Sequence, residues 1–323
     1  MISKQLVRKG TEAKGTLYGI AAYGLWGMFP LYWKLLSAVP SLQILAHRVV
    51  WAFIITTVLS LALGKRKDFF ELIRQPKRLA ATIVSGFMVT ANWGIYIWAV
   101  NTGRIIETSL GYYLNPLISI ALGVVVLREK IDKGILAASG IAVVGISILT
   151  ISYGRLPWVA LSLGVTFALY GLIKKMVNLD ALSGLAMETA PVFPLALAYL
   201  LLENAAGRGS FMHVSVLDTV LLALSGAVTA IPLFFYAEGV KRIPLSRMGF
   251  LQYISPTGQL LIGVLVFKET LDTPRAIAFA FILSALAVYA LTRTRKLNDI
   301  DQKKKRRIPR RHGDTEYRER GRV

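Results

Sequence analysis

Four of the ionisable residues in or at the edge of otherwise apolar stretches of this sequence follow a pattern: Arg48, Glu107, Glu188 and Arg247. A charge held in low dielectric is costly, so such residues default to a functional or a paired role. Their spacing is regular. Arg48 and Glu107 are 59 positions apart, and so are Glu188 and Arg247, with the signs exchanged. An offset of 140 residues carries the first pair onto the second. This predicts two equivalent ion pairs, Arg48–Glu107 and Glu188–Arg247, one near each mouth of a path. They could close one face at a time, as alternating gates. The plainer reading is that each pair only staples neighbouring helices.

A second set is polar and aromatic. Asn92 and Tyr96 are four apart and share a helix face. Tyr23 with Trp26, and Phe167 with Tyr170, repeat that near-helical spacing. Tyr112, Tyr113 and Asn115 precede Pro116, and Gln252, Tyr253 and Ser255 precede Pro256. A proline inside a helix removes one hydrogen bond and frees the carbonyl four residues earlier, here Tyr112 and Gln252. In apolar surroundings such groups persist where they face protein or a wet cavity. The expectation is a central substrate pocket between two helix kinks. Its walls would come from Tyr23, Trp26, Tyr96, Tyr112, Tyr113, Tyr170 and Tyr253, with Asn92, Asn115 and Gln252 as polar groups. The alternative is ordinary packing kinks with rings filling the core. Trp33, Trp93 and Trp98 fit membrane-interface belts. Glu129 and Asp132 recur as Glu269 and Asp272 and read as structural, capping the next helix or pairing with Arg128, Lys130 or Lys268.

The elements that must position these residues are membrane helices. The chain is 54% hydrophobic and only 17% charged, against about a quarter charged in soluble domains. Its apolar residues come in long blocks, and roughly 20 of them cross a bilayer as a helix. Ten spans are expected, near 16–36, 42–63, 79–100, 105–127, 134–153, 156–175, 184–203, 216–237, 244–267 and 274–292. The fold class is an all-α polytopic membrane protein. Loop Lys and Arg concentrate before the first span and at 65–78, 128–133, 174–175 and 241–242. That asymmetry puts both termini in the cytoplasm of a plasma-membrane protein. The net charge of +20 is concentrated partly in the tail after Thr292, which suits anionic lipid headgroups. No nucleic-acid-binding motif accompanies it.

The same 140-residue offset aligns Leu114-Asn115-Pro116 with Ile254-Ser255-Pro256, Tyr96 with Tyr236, and Gly123-Val124 with Gly263-Val264. Each half then holds five spans, an odd number, so the second half enters the membrane inverted. Inverted repeats are a mark of secondary transporters, with the substrate path between the halves. The expected organisation is an N-terminal cytoplasmic segment (1–15), repeats at 16–153 and 154–292, and a basic cytoplasmic tail (293–323).

On these residues the chain resembles the EamA branch of the drug/metabolite transporter superfamily: Asn115-Pro116 and Glu129 in one half, Ser255-Pro256 and Glu269 in the other. Tyr23-Gly24-Leu25-Trp26-Gly27, Ala46-His47-Arg48, Asn92-Trp93, Glu107 through Pro116 and Gln252 through Thr257 are similar to the RarD group within it. The resemblance implies an inner-membrane permease, linked by name to chloramphenicol sensitivity.

Absences narrow the function further. With no cysteine, disulfide scaffolds and thiolate zinc sites are excluded. There is no nucleotide-binding G-x-x-x-x-G-K-[ST] and no H-E-x-x-H. His47, His213 and His312 fall in different compartments of the expected topology, so no metal or other cofactor is expected. No nucleophile–base arrangement stands out, so no catalytic residue is assigned. Small residues such as Gly140, Gly145, Ala278 and Ala285 would allow close helix contact, within one chain or in a homodimer. The leading expectation is secondary transport of a small amphipathic or aromatic metabolite or drug, such as an amphenicol, by alternating access. The alternatives are a membrane-embedded enzyme on lipid-linked substrates, which would need carboxylates or His clustered at one face, and a channel, which would need rings of like charge.

Overall fold

The computed structural model of the protein describes residues 2–102, 104–154, 156–268 and 272–307. Side chains at 2–9, 100–101, 105–107, 109, 275 and 293–307 lie outside that description. The described residues are helical throughout their regular structure. The order is α1 (Ile2–Leu35), α2 (Ser41–Ala62), α3 (Arg66–Ile73), α4 (Pro76–Asn101), α5 (Ile105–Val125), α6 (Lys133–Tyr153) and α7 (Trp158–Val177). Then follow α8 (Ala181–Thr189), α9 (Phe193–Ala205), α10 (Val216–Arg242), α11 (Leu245–Leu251), α12 (Ile254–Leu265) and α13 (Thr273–Arg307).

Helices α2, α4, α6, α7 and α10 are each long and apolar enough to cross a membrane, and α8 with α9 makes a sixth candidate. Shorter apolar helical stretches lie at Leu110–Val125 and Ala276–Thr292. Large apolar side chains such as Leu136, Ile151 and Leu202 are exposed, as expected where hydrocarbon is the solvent. This is a multi-pass membrane protein.

The helices fall where the apolar blocks do, with four differences. First, α1 begins at Ile2, so the expected N-terminal segment continues the first helix. Second, the seventh block is two helices bent by 53°. Pro191 sits at the break and Pro194 in the first turn of α9, where its missing N–H costs nothing. Third, the ninth block is broken between α11 and α12. Pro256 therefore lies in the first turn of α12, and the Gln252 carbonyl accepts the Ser255 N–H at 3.0 Å. Pro116 by contrast sits inside continuous α5. The two expected kinks are not alike: one is a helix start. Fourth, α13 runs on to Arg307. The lipid contact expected of the tail falls on side chains outside the described residues.

Packing follows a reciprocal scheme. α1 packs on α10 and α12, while α7 packs on α4 and α5. α2 packs on α10, and α8 packs on α4. α2 also meets α8, α5 meets α11, and α6 meets α13. Under the 140-residue offset each of these contacts exchanges with another or maps onto itself. Two glycines at that offset allow close backbone approaches. A side chain at Gly86 of α4 would overlap the backbone of Glu188 in α8, and one at Gly226 of α10 would overlap Trp51 and Ala52 in α2. The α6–α13 contact uses Gly145, Ala278 and Ala285, while Gly140 stands open. Gly145 abuts Ala278 and Phe281, and Ala278 and Ala285 are fully buried.

Candidate functional site

A cavity of about 210 Å³ opens between helices of both halves. Tyr23, Trp26, Phe29, Pro30 and Trp33 line it from α1, Arg48 from α2, and Asn92, Trp93 and Tyr96 from α4. Gly111, Tyr112 and Asn115 come from α5, and Leu163 and Phe167 from α7. Gln252 at the α11–α12 break, with Ser255, Pro256 and Gln259, completes it. The break thus places polar groups of the second half against aromatic groups of the first.

Of the residues expected to form a pocket, Tyr23, Trp26, Asn92, Tyr96, Tyr112, Asn115 and Gln252 are brought together here. Tyr113 and Tyr253 are not. They pack with Leu110 and Phe250 in the core between α5, α6, α11 and α13. Tyr113 projects about 100° round the helix from Tyr112, and here that turn carries it to the α6 and α13 side. Tyr170 is also outside the lining. It is fully buried and stacks on Tyr236 at 5.7 Å between ring centroids. Pro116 does not line the cavity, whereas Pro256 does.

Asn92 is fixed by two donated bonds from Nδ2, to the Leu163 carbonyl at 2.8 Å and to Thr166 Oγ1 at 2.9 Å. These tie α4 to α7. The amide oxygen has no bond among the described residues. Tyr96 meets Tyr112 edge-on at 5.7 Å.

Glu188 and Arg247 are arranged differently from their spacing. Arg48 donates from Nε to Thr229 Oγ1 at 3.0 Å. Its guanidinium carbon lies over the rings of Trp33 at 4.7 Å and Trp93 at 4.5 Å. These two tryptophans are therefore parts of the cavity wall that hold Arg48, not belt residues alone. Among the described residues no carboxylate lies within 4 Å of Arg48. The side chain of Glu107 lies outside the description. Glu188 pairs with Lys174, not with Arg247. Lys174 Nζ donates to both carboxylate oxygens at 2.7 and 2.8 Å. Ser85 Oγ at 3.0 Å and the Tyr170 hydroxyl at 3.4 Å complete its shell. Arg247 pairs with Glu12 at 3.1 Å. The reason is topological. α8 lies against α4 and α10, and Lys174 in the last turn of α7 reaches it, while α11 carries Arg247 to α5 and the start of α1.

Between the cavity and Glu188 lies a layer of rings. Tyr23, Phe167, Tyr170 and Tyr236 contact one another with centroids 5.5–6.1 Å apart. Tyr23, Tyr170 and Tyr236 are essentially inaccessible. Beyond it lies the Lys174–Glu188 pair, also buried.

Two carboxylates do structural work outside the cavity. Glu129 accepts from the Leu245 and Ser246 amides at 2.7 and 2.9 Å and from Ser246 Oγ at 2.8 Å. It caps α11 in the other half and stands 3.7 Å from Lys175, rather than capping the helix that follows it. Asp132 does cap the next helix, accepting from Gly134 N–H at 2.9 Å. Glu269 is outside the described residues. At the start of α8, Asp180 accepts from the Leu182 and Ser183 amides and pairs with Lys65 at 2.7 Å. Burial pushes its carboxyl up, but Lys65 and the two amides outweigh that and hold it below the ordinary carboxylate value. Among the described residues no group of His, Asp or Glu could hold a metal ion.

The residues that sequence reasoning left out are instructive. Phe29, Pro30, Gly111 and Gln259 carry no signal beyond helical spacing from the residues chosen. Lys174 had one: it is a cation 14 residues before an intramembrane carboxylate, but it reads as a loop boundary.

Residues 13–151 match the EamA-like transporter family. Protein RarD of Streptomyces exfoliatus is 44% identical over 277 residues, covering 86% of this chain and 88% of that protein. The uncharacterized transporter YojE of Bacillus subtilis is 40% identical over 291 residues, covering 87% of this chain and 95% of that protein. A solved crystal structure superposes with a TM-score of 0.66 at 19% identity, over 87% of this chain and 98% of the other, a likeness in fold alone.

Proposed function

The chain belongs to the EamA-like transporter family, among its RarD relatives, and from that premise we propose that it is a secondary transporter working by alternating access. Its cargo is a small amphipathic or aromatic metabolite or drug, amphenicols included. It is not an enzyme. It lies in the plasma membrane as ten spans with both termini in the cytoplasm, built as inverted repeats at 16–153 and 154–292. The single observation that carries the reading is the cavity shared by both halves. The reciprocal packing and the Gly86/Gly226 contacts support the repeat. A pocket at the interface of inverted repeats is where a rocking carrier holds its cargo.

Aromatic walls suit flat apolar groups, and Asn92, Asn115 and Gln252 orient polar ones. At about 210 Å³ the cavity is smaller than the roughly 300–1,000 Å³ of drug-sized sites, which favours compact solutes. The ring layer with Lys174–Glu188 serves as the closed gate on one side. The test is flux into proteoliposomes for a panel of aromatic amino acids, amphenicols and small amines, with and without a pH gradient. Saturable flux of a solute, abolished by Asn92→Ala and Tyr112→Ala in folded protein, is expected. Flux that these substitutions leave unchanged would overturn the assignment of the cavity.

A further inference from the structure

The charge in the cavity points to a narrower class of cargo. Arg48 is the one charged side chain among the described residues that line it, and none of those residues is acidic. Arginine stays protonated and offers five N–H donors in one plane. Only Nε is used, on Thr229 at 3.0 Å. The four Nη donors have no acceptor among the described residues. The two groups stacked over the guanidinium supply none. Trp33 and Trp93 meet it through their ring faces at 4.7 and 4.5 Å, and indole is a donor only.

We infer that the cavity selects small aromatic monocarboxylates, with the carboxylate held in a two-bond fork by the Nη groups of Arg48. This rests on the carrier reading above and specifies its cargo. A planar carboxylate matches the guanidinium fork in a way that a neutral oxygen does not. Trp33 and Trp93 fix the fork in place before the ligand arrives, so less side-chain freedom is lost on binding. Tyr96, Tyr112 and Phe167 then face the ring of the solute. A cationic amine would meet Arg48, and among the described residues no carboxylate lines the cavity to offset it.

The experiment compares phenylacetate, phenylacetamide and phenethylamine, which share a ring and differ in charge. Binding to the purified full-length protein in nanodiscs is read by tryptophan fluorescence, since Trp26, Trp33 and Trp93 all line the cavity. Phenylacetate is expected to bind at least about tenfold more tightly than phenylacetamide, the scale of charge-assisted hydrogen bonds, and phenethylamine more weakly than either. Arg48→Gln should erase the difference, and Arg48→Lys, a charge without the fork, should restore only part of it. The wild-type comparison stands even if a variant does not fold. Equal binding of the acid and the amide, tighter binding of the amine, or no binding of phenylacetate overturns the inference. Flux of neutral amphenicols without a carboxylate preference would overturn it too, while leaving the carrier standing. Phenylacetate binding lost in Arg48→Gln, with no flux of any solute, would uphold the anion site and sink the carrier.

Discussion

Replacing Lys174 by methionine removes one partner of a buried ion pair and leaves the other in place. The pair is bidentate at 2.7 and 2.8 Å, and its side chains are 8% and 5% exposed. At 2.7 Å and an effective dielectric of ~20 the attraction is about 6 kcal/mol, most of it offset by desolvation. Breaking such a pair from one side costs about 3–5 kcal/mol, because the remaining charge has no counterion. At roughly 2–4 °C per kcal/mol, the apparent melting temperature should fall by about 6–20 °C. Glu188→Gln should cost less, because its amide can still bond Ser85 and Tyr170, and Lys174 in the last turn of α7 can turn its ammonium toward water. The double variant Lys174→Met/Glu188→Gln should lie near Glu188→Gln alone. Melting is followed in detergent by dye binding or by loss of monodispersity. If Lys174→Met melts like wild type while Arg247→Met is costly and couples to Glu188→Gln, Arg247 is the true partner and the packing described for α8 and α11 is wrong.

Four further outcomes follow from the same contacts. Asn92→Leu should lower the melting temperature through loss of the bonds to Leu163 and Thr166, about 1–3 kcal/mol, and should also abolish flux; intact flux would remove Asn92 from the site. Glu129→Gln should weaken the cap on α11 by about 1–2 kcal/mol, and an unchanged melting temperature would exclude that bridge between the halves. Gly226→Leu should yield no folded protein, whereas Gly140→Leu, with nothing within 4 Å, should be tolerated; equal expression and melting of the two would contradict the α2–α10 approach. The Asp180 carboxyl is held below its ordinary value of 3.8. Its stabilising effect is therefore present above about pH 4 and lost as pH falls through the lowered value. Asp180→Asn should flatten that part of a melting-temperature profile between about pH 5 and pH 3, and an unchanged slope would refute the Lys65–Asp180 contribution.

The helices were legible because a bilayer imposes long apolar blocks, and their positions survive in the structure. Breaks were less legible. Pro191 and Pro194 mark the α8–α9 bend, yet hydropathy runs smoothly across them. Pro256 looks like the twin of Pro116 until the chain opens two residues before it begins the next helix. The cavity was read from the need of Asn92 for a partner and from polar residues beside prolines, which recovered Tyr112, Asn115 and Gln252. It could not separate Tyr112 from Tyr113, because helix phase is set by packing rather than composition. The expected Glu188–Arg247 pair failed for a different reason. The 140-residue offset relates equivalent positions, and equivalent positions need not touch. Glu188 found the nearer cation, Lys174, whose place in the last turn of α7 looks like a loop boundary when only charge is counted. Trp33 and Trp93 look like belt residues until Arg48 is seen beside them.

The chain has no cysteine, so a single one can report on the cavity without background. Ser255→Cys, on the cavity wall, can be treated with a membrane-impermeant maleimide in right-side-out and inside-out vesicles, with and without transported solute. Alternating access predicts modification from both faces and protection by the solute on each. Modification from one face alone, whatever the solute, would contradict a carrier and leave a fixed pocket of the kind an enzyme or a receptor would use.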